Sequence, residues 1–258
     1  MPLLASGGAR KSRKQSLLFS HFPKAGGSEI KHILSTVVGE SINIDQNRGM
    51  YKNNSTILED NYFLQTEFVP LEPYQKSNFF VIGHVRSPCN YLLSLWAFGS
   101  DGKGAFYHLT KDKSVYGNTP PYNNKDDLKR FTMWLQDYKE TYTYRLVHKY
   151  FKNSIWKTDP TLSNADCWVH SEMLIYDLVN CLKRYEKQGG KVKWEKFHKI
   201  EVNENPSTHS KCEDYFGDGR KALVMNSNGN MTKLFGYETC CTENNKTLPA
   251  EFKKFWIN

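Results

Sequence analysis

Two short segments of this sequence hold residue types that grip an oxyanion. In the first, Pro23-Lys24-Ala25-Gly26-Gly27-Ser28 follows an apolar run from Leu17 to Phe22. Ile30, Ile33, Leu34, Val37 and Val38 then recur at helical spacing until Gly39, a plausible stop. A glycine turn between a strand and a helix presents unpaired backbone N–H groups at the positive end of the helix dipole, a ready phosphate or sulfate site. Gly26 and Gly27 let the backbone approach the anion, Lys24 adds an ammonium, and Ser28 offers a hydroxyl and a helix cap. The string is not a Walker A motif, Gly-x-x-x-x-Gly-Lys-[Ser/Thr], which disfavours ATP or GTP hydrolysis.

The second segment repeats the grammar. Phe79 to Gly83 is a buried-strand pattern, Ser87-Pro88 suits an N-cap and first helical position, and Tyr91, Leu92, Leu95 and Trp96 form an apolar helical stripe. Arg86 at the strand end and Ser94 two turns into the helix can converge on one phosphate. A nucleotide with phosphates at both its 5′ and 3′ positions needs two such sites.

On these residues the sequence resembles the sulfotransferases that use 3′-phosphoadenosine 5′-phosphosulfate (PAPS), particularly the carbohydrate type that includes the heparan and dermatan 2-O-sulfotransferases. His21-Phe22-Pro23-Lys24-Ala25-Gly26-Gly27-Ser28 is similar to that family's phosphosulfate loop, His-Ile-Pro-Lys-Thr-Gly-Gly-Thr. Arg86-Ser87-Pro88, with Ser94 eight residues after the arginine, matches its 3′-phosphate segment. Weaker echoes are Phe131 to Leu146 and His170-Ser171-Glu172-Met173-Leu174, so the resemblance spans residues 17 to 185. It implies a P-loop-NTPase-like three-layer α/β/α sandwich with a central, mainly parallel sheet. It also implies PAPS as donor and PAP as product, a hydroxyl acceptor on a glycan or small molecule, and no metal. Lys24 would hold the 5′-phosphosulfate with the Pro23–Ser28 loop, and Arg86 and Ser94 would hold the 3′-phosphate.

The acceptor hydroxyl needs a base. The 2-O enzymes use a His on the strand before the 3′-phosphate segment, and aligning Phe63 to Phe68 with it puts Glu67 in that place, a departure that leaves the substrate class open. His84 is the second candidate, because Ile82, His84 and Arg86 share a strand face. His21, beside the loop, is better suited to ordering backbone. Glu29, in the first helical turn, either faces away from the polyanion or engages the acceptor. Two other functions compete: a non-catalytic module of the same fold that binds PAP or a sulfated glycan, and a nucleotide kinase with an irregular phosphate loop.

The elements that must position these residues follow from periodicity. Ser41 to Ile44, Tyr62 to Phe68 and Trp168 to His170 read as strands; Met173 to Glu186 reads as a helix ending at Gly189-Gly190. Asp127 to Phe151 reads as one long amphipathic helix with Phe131, Trp134, Leu135, Tyr138 and Tyr142 on its buried face. Residues 99–126 read as a surface excursion that could border the acceptor site, and the chain from Asn203 onward as loop-rich. Strands alternating with helices favour an α/β fold with a mainly parallel sheet.

The 258 residues, 39% hydrophobic, suffice for one folded domain over residues 16–258 behind a basic tail at 1–15. A net charge of +8 favours anionic ligands in general, with nucleic acid disfavoured because the most basic run, Arg10 to Lys14, lies in that tail. No stretch reaches the roughly 18 to 20 apolar residues of a bilayer span. Since related carbohydrate enzymes commonly sit in the Golgi lumen behind an N-terminal anchor, the resemblance implies either a trimmed lumenal domain or a cytoplasmic enzyme. Sequons stand at Asn53, Asn54, Asn230 and Asn245. The six cysteines lack a C-x-x-C pair, against structural zinc. Their even number permits disulfides, Cys212 with Cys240 or Cys241 first, and buried thiols are the alternative.

Overall fold

A computed structural model of the chain describes residues 16–45, 62–104, 124–151, 163–197, 200 and 209–242. The tail at 1–15, most of the 99–126 excursion and the sequons at Asn53, Asn54 and Asn245 lie outside these residues.

Five strands form one all-parallel sheet in the order β2-β3-β1-β4-β5. They are β1 (Leu17–Ser20), β2 (Glu40–Asn43), β3 (Tyr62–Thr66), β4 (Phe80–Val85) and β5 (Cys167–His170). The inner strands β1 and β4 are buried at every position, as a parallel sheet covered on both faces requires. Side chains alternate between two cores. Leu17, Phe19, Phe63, Phe80, Ile82 and Val169 pack on one face with helices α1 (Gly27–Val37) and α6 (Leu174–Lys187). Leu18, Leu64, Val81 and Val85 pack on the other with α3 (Pro88–Ser100), α4 (Leu128–Tyr138), α5 (Thr141–Tyr150) and α9 (Asp218–Leu234). Short helices α2 (Pro73–Asn78), α7 (Trp194–Phe197) and α8 (Cys212–Tyr215) complete the described elements. The result is the expected three-layer α/β/α sandwich. Among the described residues no helix is long and apolar enough to cross a membrane.

The structure corrects the expected single helix over Asp127 to Phe151. It divides into α4 and α5, and Asn228 of α9 sits at the joint. The Asn228 amide donates to the Lys139 carbonyl at 2.7 Å and to the Val224 carbonyl at 2.8 Å. Its oxygen accepts from the Thr143 N–H at 3.1 Å and the Thr143 hydroxyl at 2.8 Å. One buried side chain thus satisfies orphan backbone groups at the end of one helix and the start of the next. Asn228→Ala leaves these groups unsatisfied in the interior and is expected to cost about 2–3 kcal/mol, read as a lower urea midpoint at unchanged slope.

Helix α9 had no legible sequence pattern, since it carries Gly219, Gly229 and a run of Asn and Ser. Its inward positions Val224, Asn228, Met231 and Thr232 anchor it by packing, which overrides weak propensity. All six cysteines pair, as Cys89–Cys240, Cys167–Cys181 and Cys212–Cys241. The expected Cys212 partner is therefore Cys241. Adjacent cysteines tie the chain after α9 to α3 through Cys240 and to α8 through Cys241.

Candidate functional site

The carboxyl ends of β1, β3 and β4 lie side by side, and the turn from β1 into α1 occupies the middle. Phe22 turns back into the core and stacks on Tyr91 with centroids 4.9 Å apart, and the Ala25 N–H donates to its carbonyl at 3.2 Å. This forces the backbone into left-handed conformations at Lys24 (φ 64) and Gly26 (φ 89). For a lysine that geometry costs energy, and such outliers cluster where backbone is shaped around a ligand. Gly27 is required for a different reason: a Cβ there would stand 1.9 Å from the His21 ring. Gly26 takes the N-cap position without any side-chain cap, so the Gly27 and Ser28 N–H groups face the loop without intrahelical partners, while the Glu29 N–H donates to the Gly26 carbonyl at 3.2 Å. Ser28, expected as a cap, lies exposed inside that first turn instead.

Arg86 follows β4 and reaches across to this loop. Its Nη1 donates to the Lys24 carbonyl at 3.0 Å, while its buried Nε has no hydrogen-bond partner. The two segments expected from the sequence to grip an anion therefore meet. The Ser171 hydroxyl, just past β5, donates to the Ala25 carbonyl and lies 2.9 Å from the Val85 carbonyl, pinning the loop to β4. Ser94 sits two turns into α3 and is buried; among the described residues no hydrogen bond joins it to Arg86. Glu172, from the weaker family echo, is buried and accepts from the Ser87 N–H at 2.8 Å and the Tyr237 hydroxyl at 3.0 Å, which fixes the turn beside Arg86.

The charges are crowded. Burial first, and then the Arg86 guanidinium, lower the Lys24 ammonium to about 8; Asp101 and Glu67 oppose this and Lys103 adds to it. The ammonium rests over the Phe98 ring at 3.7 Å, a cation–π contact. Burial also lowers the Arg86 pKa, against the attraction of Glu172.

The three proton-handling candidates separate. His84 is fully buried beneath the loop, with Nε2 3.2 Å from the Ser171 hydroxyl and Nδ1 unpartnered. Burial, then His21, Arg86 and His170, hold its pKa well below the ordinary range. A neutral ring in that place supports the loop and meets no acceptor. Glu67 lies just past β3 at the mouth, its side chain 36% exposed and 3.5 Å from His21 Nδ1. The His21 hydrogen bond lowers its carboxyl pKa, burial opposes, and the charges of His21 and Lys149 lower it further. Glu29 occupies the first turn of α1, half-buried.

Two residues that hold Glu67 were not apparent in the sequence. Asp45, past β2, accepts from the Glu67 N–H at 2.7 Å, the Val69 N–H at 3.1 Å and the Thr66 hydroxyl at 2.7 Å. Lys149 of α5, buried, donates to the Glu67 carbonyl at 2.8 Å. Burial lowers its ammonium to about 7, with Asp45 and Glu67 opposing. The loop carrying Glu67 is thus clamped by a carboxylate on its N–H groups and an ammonium on a carbonyl. One basic side chain remote in sequence also lies near this loop: His209 has Arg86, Lys24 and Lys125 as charged neighbours. No signal of type or spacing marks His209 in the sequence.

No protein-family model matches this chain, and no curated protein matches it.

Proposed function

We propose that this protein transfers the sulfuryl group of PAPS to a hydroxyl of an acceptor, a glycan or small molecule, and releases PAP. The observation that carries this reading is the Arg86 bridge to the Lys24 carbonyl, which joins a left-handed glycine turn to a second cationic strand end. A guanidinium packed close enough to the Lys24 ammonium to destabilise its charge fits a ligand with several negative groups. The unpartnered Arg86 Nε and the uncapped start of α1 supply donors for it.

Lys24 and the amides of Gly26, Gly27 and Ser28 would hold the 5′-phosphosulfate, with Pro23 and Ala25 shaping the loop. Arg86 and Ser94 would hold the 3′-phosphate. The donor supplies an activated sulfur: the acceptor oxygen bonds to it as the bond from sulfur to the 5′-phosphate oxygen breaks. Lys24 stabilises the charge left on that phosphate. Glu67, rather than the buried His84, can meet the acceptor hydroxyl and take its proton, with His21 sharing it. Asp45 and Lys149 fix the backbone that carries this carboxylate, which is the positioning such a transfer depends on. Three disulfides suit an oxidising compartment, which favours a lumenal or extracellular setting.

The lowered Glu67 carboxyl, a weaker base than a free one, favours one other reading: a module of the same fold that binds PAP or a sulfated glycan without transfer. Incubation with radiolabelled PAPS and a panel of hydroxyl-bearing glycans and small molecules, in EDTA, is expected to move label to an acceptor. PAP binding without any transfer would select the binding module, and absence of PAP binding by calorimetry would overturn both.

A further inference from the structure

We propose that His209 is a third anion-binding side chain of this site, donating through Nε2 to one of the two phosphates held by Lys24 and by Arg86, and that ligand binding therefore draws a proton onto it. This rests on the donor reading above only for the identity of the ligand; the contact itself needs a phosphate.

The geometry begins at Nδ1, 2.8 Å from the Ser210 carbonyl. A carbonyl only accepts, so Nδ1 carries the hydrogen and the neutral ring has a bare lone pair at Nε2. That Nε2 is buried with no hydrogen-bond partner among the described residues. A buried polar atom left unsatisfied in this way calls for an explanation, and a role in meeting an anion supplies one. The charged neighbours that weigh most on the ring among the described residues are cationic: Arg86 from the end of β4, Lys24 from the β1 turn and Lys125 from the segment before α4. Asp126, next to Lys125 in the chain, is occupied, accepting from the Tyr215 hydroxyl at 3.0 Å. Tyr215 in turn meets the His209 ring edge-on at 6.4 Å between centroids. The ring is held in this company by α8, whose Cys212 is bonded to Cys241.

An imidazole with a lone pair repels an oxyanion; an imidazolium donates to it with full charge. Burial lowers the His209 pKa, the Ser210 hydrogen bond opposes this, and Arg86, Lys24 and Lys125 lower it further, so the free protein holds the ring neutral near pH 7. A bound phosphate reverses the balance of charge around it. The sign follows: uptake of a proton on binding makes the complex tighter as pH falls and looser as it rises.

PAP is titrated by calorimetry into the wild-type chain and His209→Gln, at pH 6 and pH 8, in buffers of different ionisation enthalpy. The wild type is expected to take up more protons than the variant, and the variant to bind about tenfold more weakly at pH 6 and nearly equally at pH 8. The His209 ring resonance, followed by NMR in the wild type, is expected to titrate at higher pH with PAP than without. Equal proton uptake and equal affinity in the two proteins, or a His209 titration unmoved by ligand, overturns the proposal. If wild type binds no PAP, the donor reading fails, and inorganic pyrophosphate is titrated instead. A loss in His209→Gln confined to low pH then upholds the contact, and identical isotherms overturn it.

Discussion

Lys24→Ala is expected to reduce the proposed sulfuryl transfer by about 10²–10³-fold, because it removes the ammonium that on this reading stabilises charge on the departing phosphate. Folding should survive the change, since the wild-type ammonium is partly desolvated and crowded by Arg86. Its pKa of about 8 in the folded chain lies below the value of 10.5 for a free lysine. The cost of holding it charged is therefore fully present below pH 8 and fades as pH rises from 8 to 10.5, so Lys24→Ala should melt no lower than wild type at neutral pH. Donor binding behaves oppositely: in wild type, PAP affinity should fall as pH passes 8 and the ammonium discharges. Lys24→Ala should flatten that limb, and Lys24→Arg should move it out of range. Calorimetric PAP titrations between pH 7 and pH 9.5 read all three. An alanine variant with wild-type affinity and wild-type pH profile would sink the assignment of Lys24.

Arg86→Ala is expected to erase the discrimination between PAP and AMP, which differ only in the 3′-phosphate. A buried, bidentate guanidinium contact of this kind supports a ratio of affinities of about 100 or more, and the variant should bring it close to one. The change also removes the donor to the Lys24 carbonyl, so affinity for AMP itself should slip by a smaller factor. Arg86→Lys keeps the charge but not the fork; it should restore only part of the ratio. If Arg86→Ala weakens PAP and AMP equally, Arg86 serves the loop alone and the 3′-phosphate lies elsewhere.

What the sequence discloses here depends on whether a signal is local. The turn at Lys24 to Ser28 and the Arg86-Ser87-Pro88 segment stand where strand periodicity gives way to helical periodicity, and both appear in the structure between the elements expected. Asp45 and Lys149 give no such sign, because each binds backbone across the ends of different strands, Lys149 reaching Glu67 over 82 positions; the resemblance marks Glu172 but not its reach to Ser87 over 85. The break between α4 and α5 is likewise set from outside by Asn228. His84 illustrates the opposite error. Its strand face was readable, but not the covering of that face by the loop and Ser171, which buries the ring away from solvent.

The strand order has a consequence for how such a site can change. β1 is flanked by β3 on one side and β4 on the other, so chain crossings diverge around its carboxyl end and a crevice opens there by topology. Arg86 comes from the β4 side and Glu67 from the β3 side, with Lys24 between them. The two halves of the crevice are thus carried by separate, non-adjacent stretches of chain. On the proposed reading, loops on the β3 side could be exchanged to accept a new partner while the proposed nucleotide grip on the β4 side stays intact, so the architecture would lend itself to retargeting one substrate at a time.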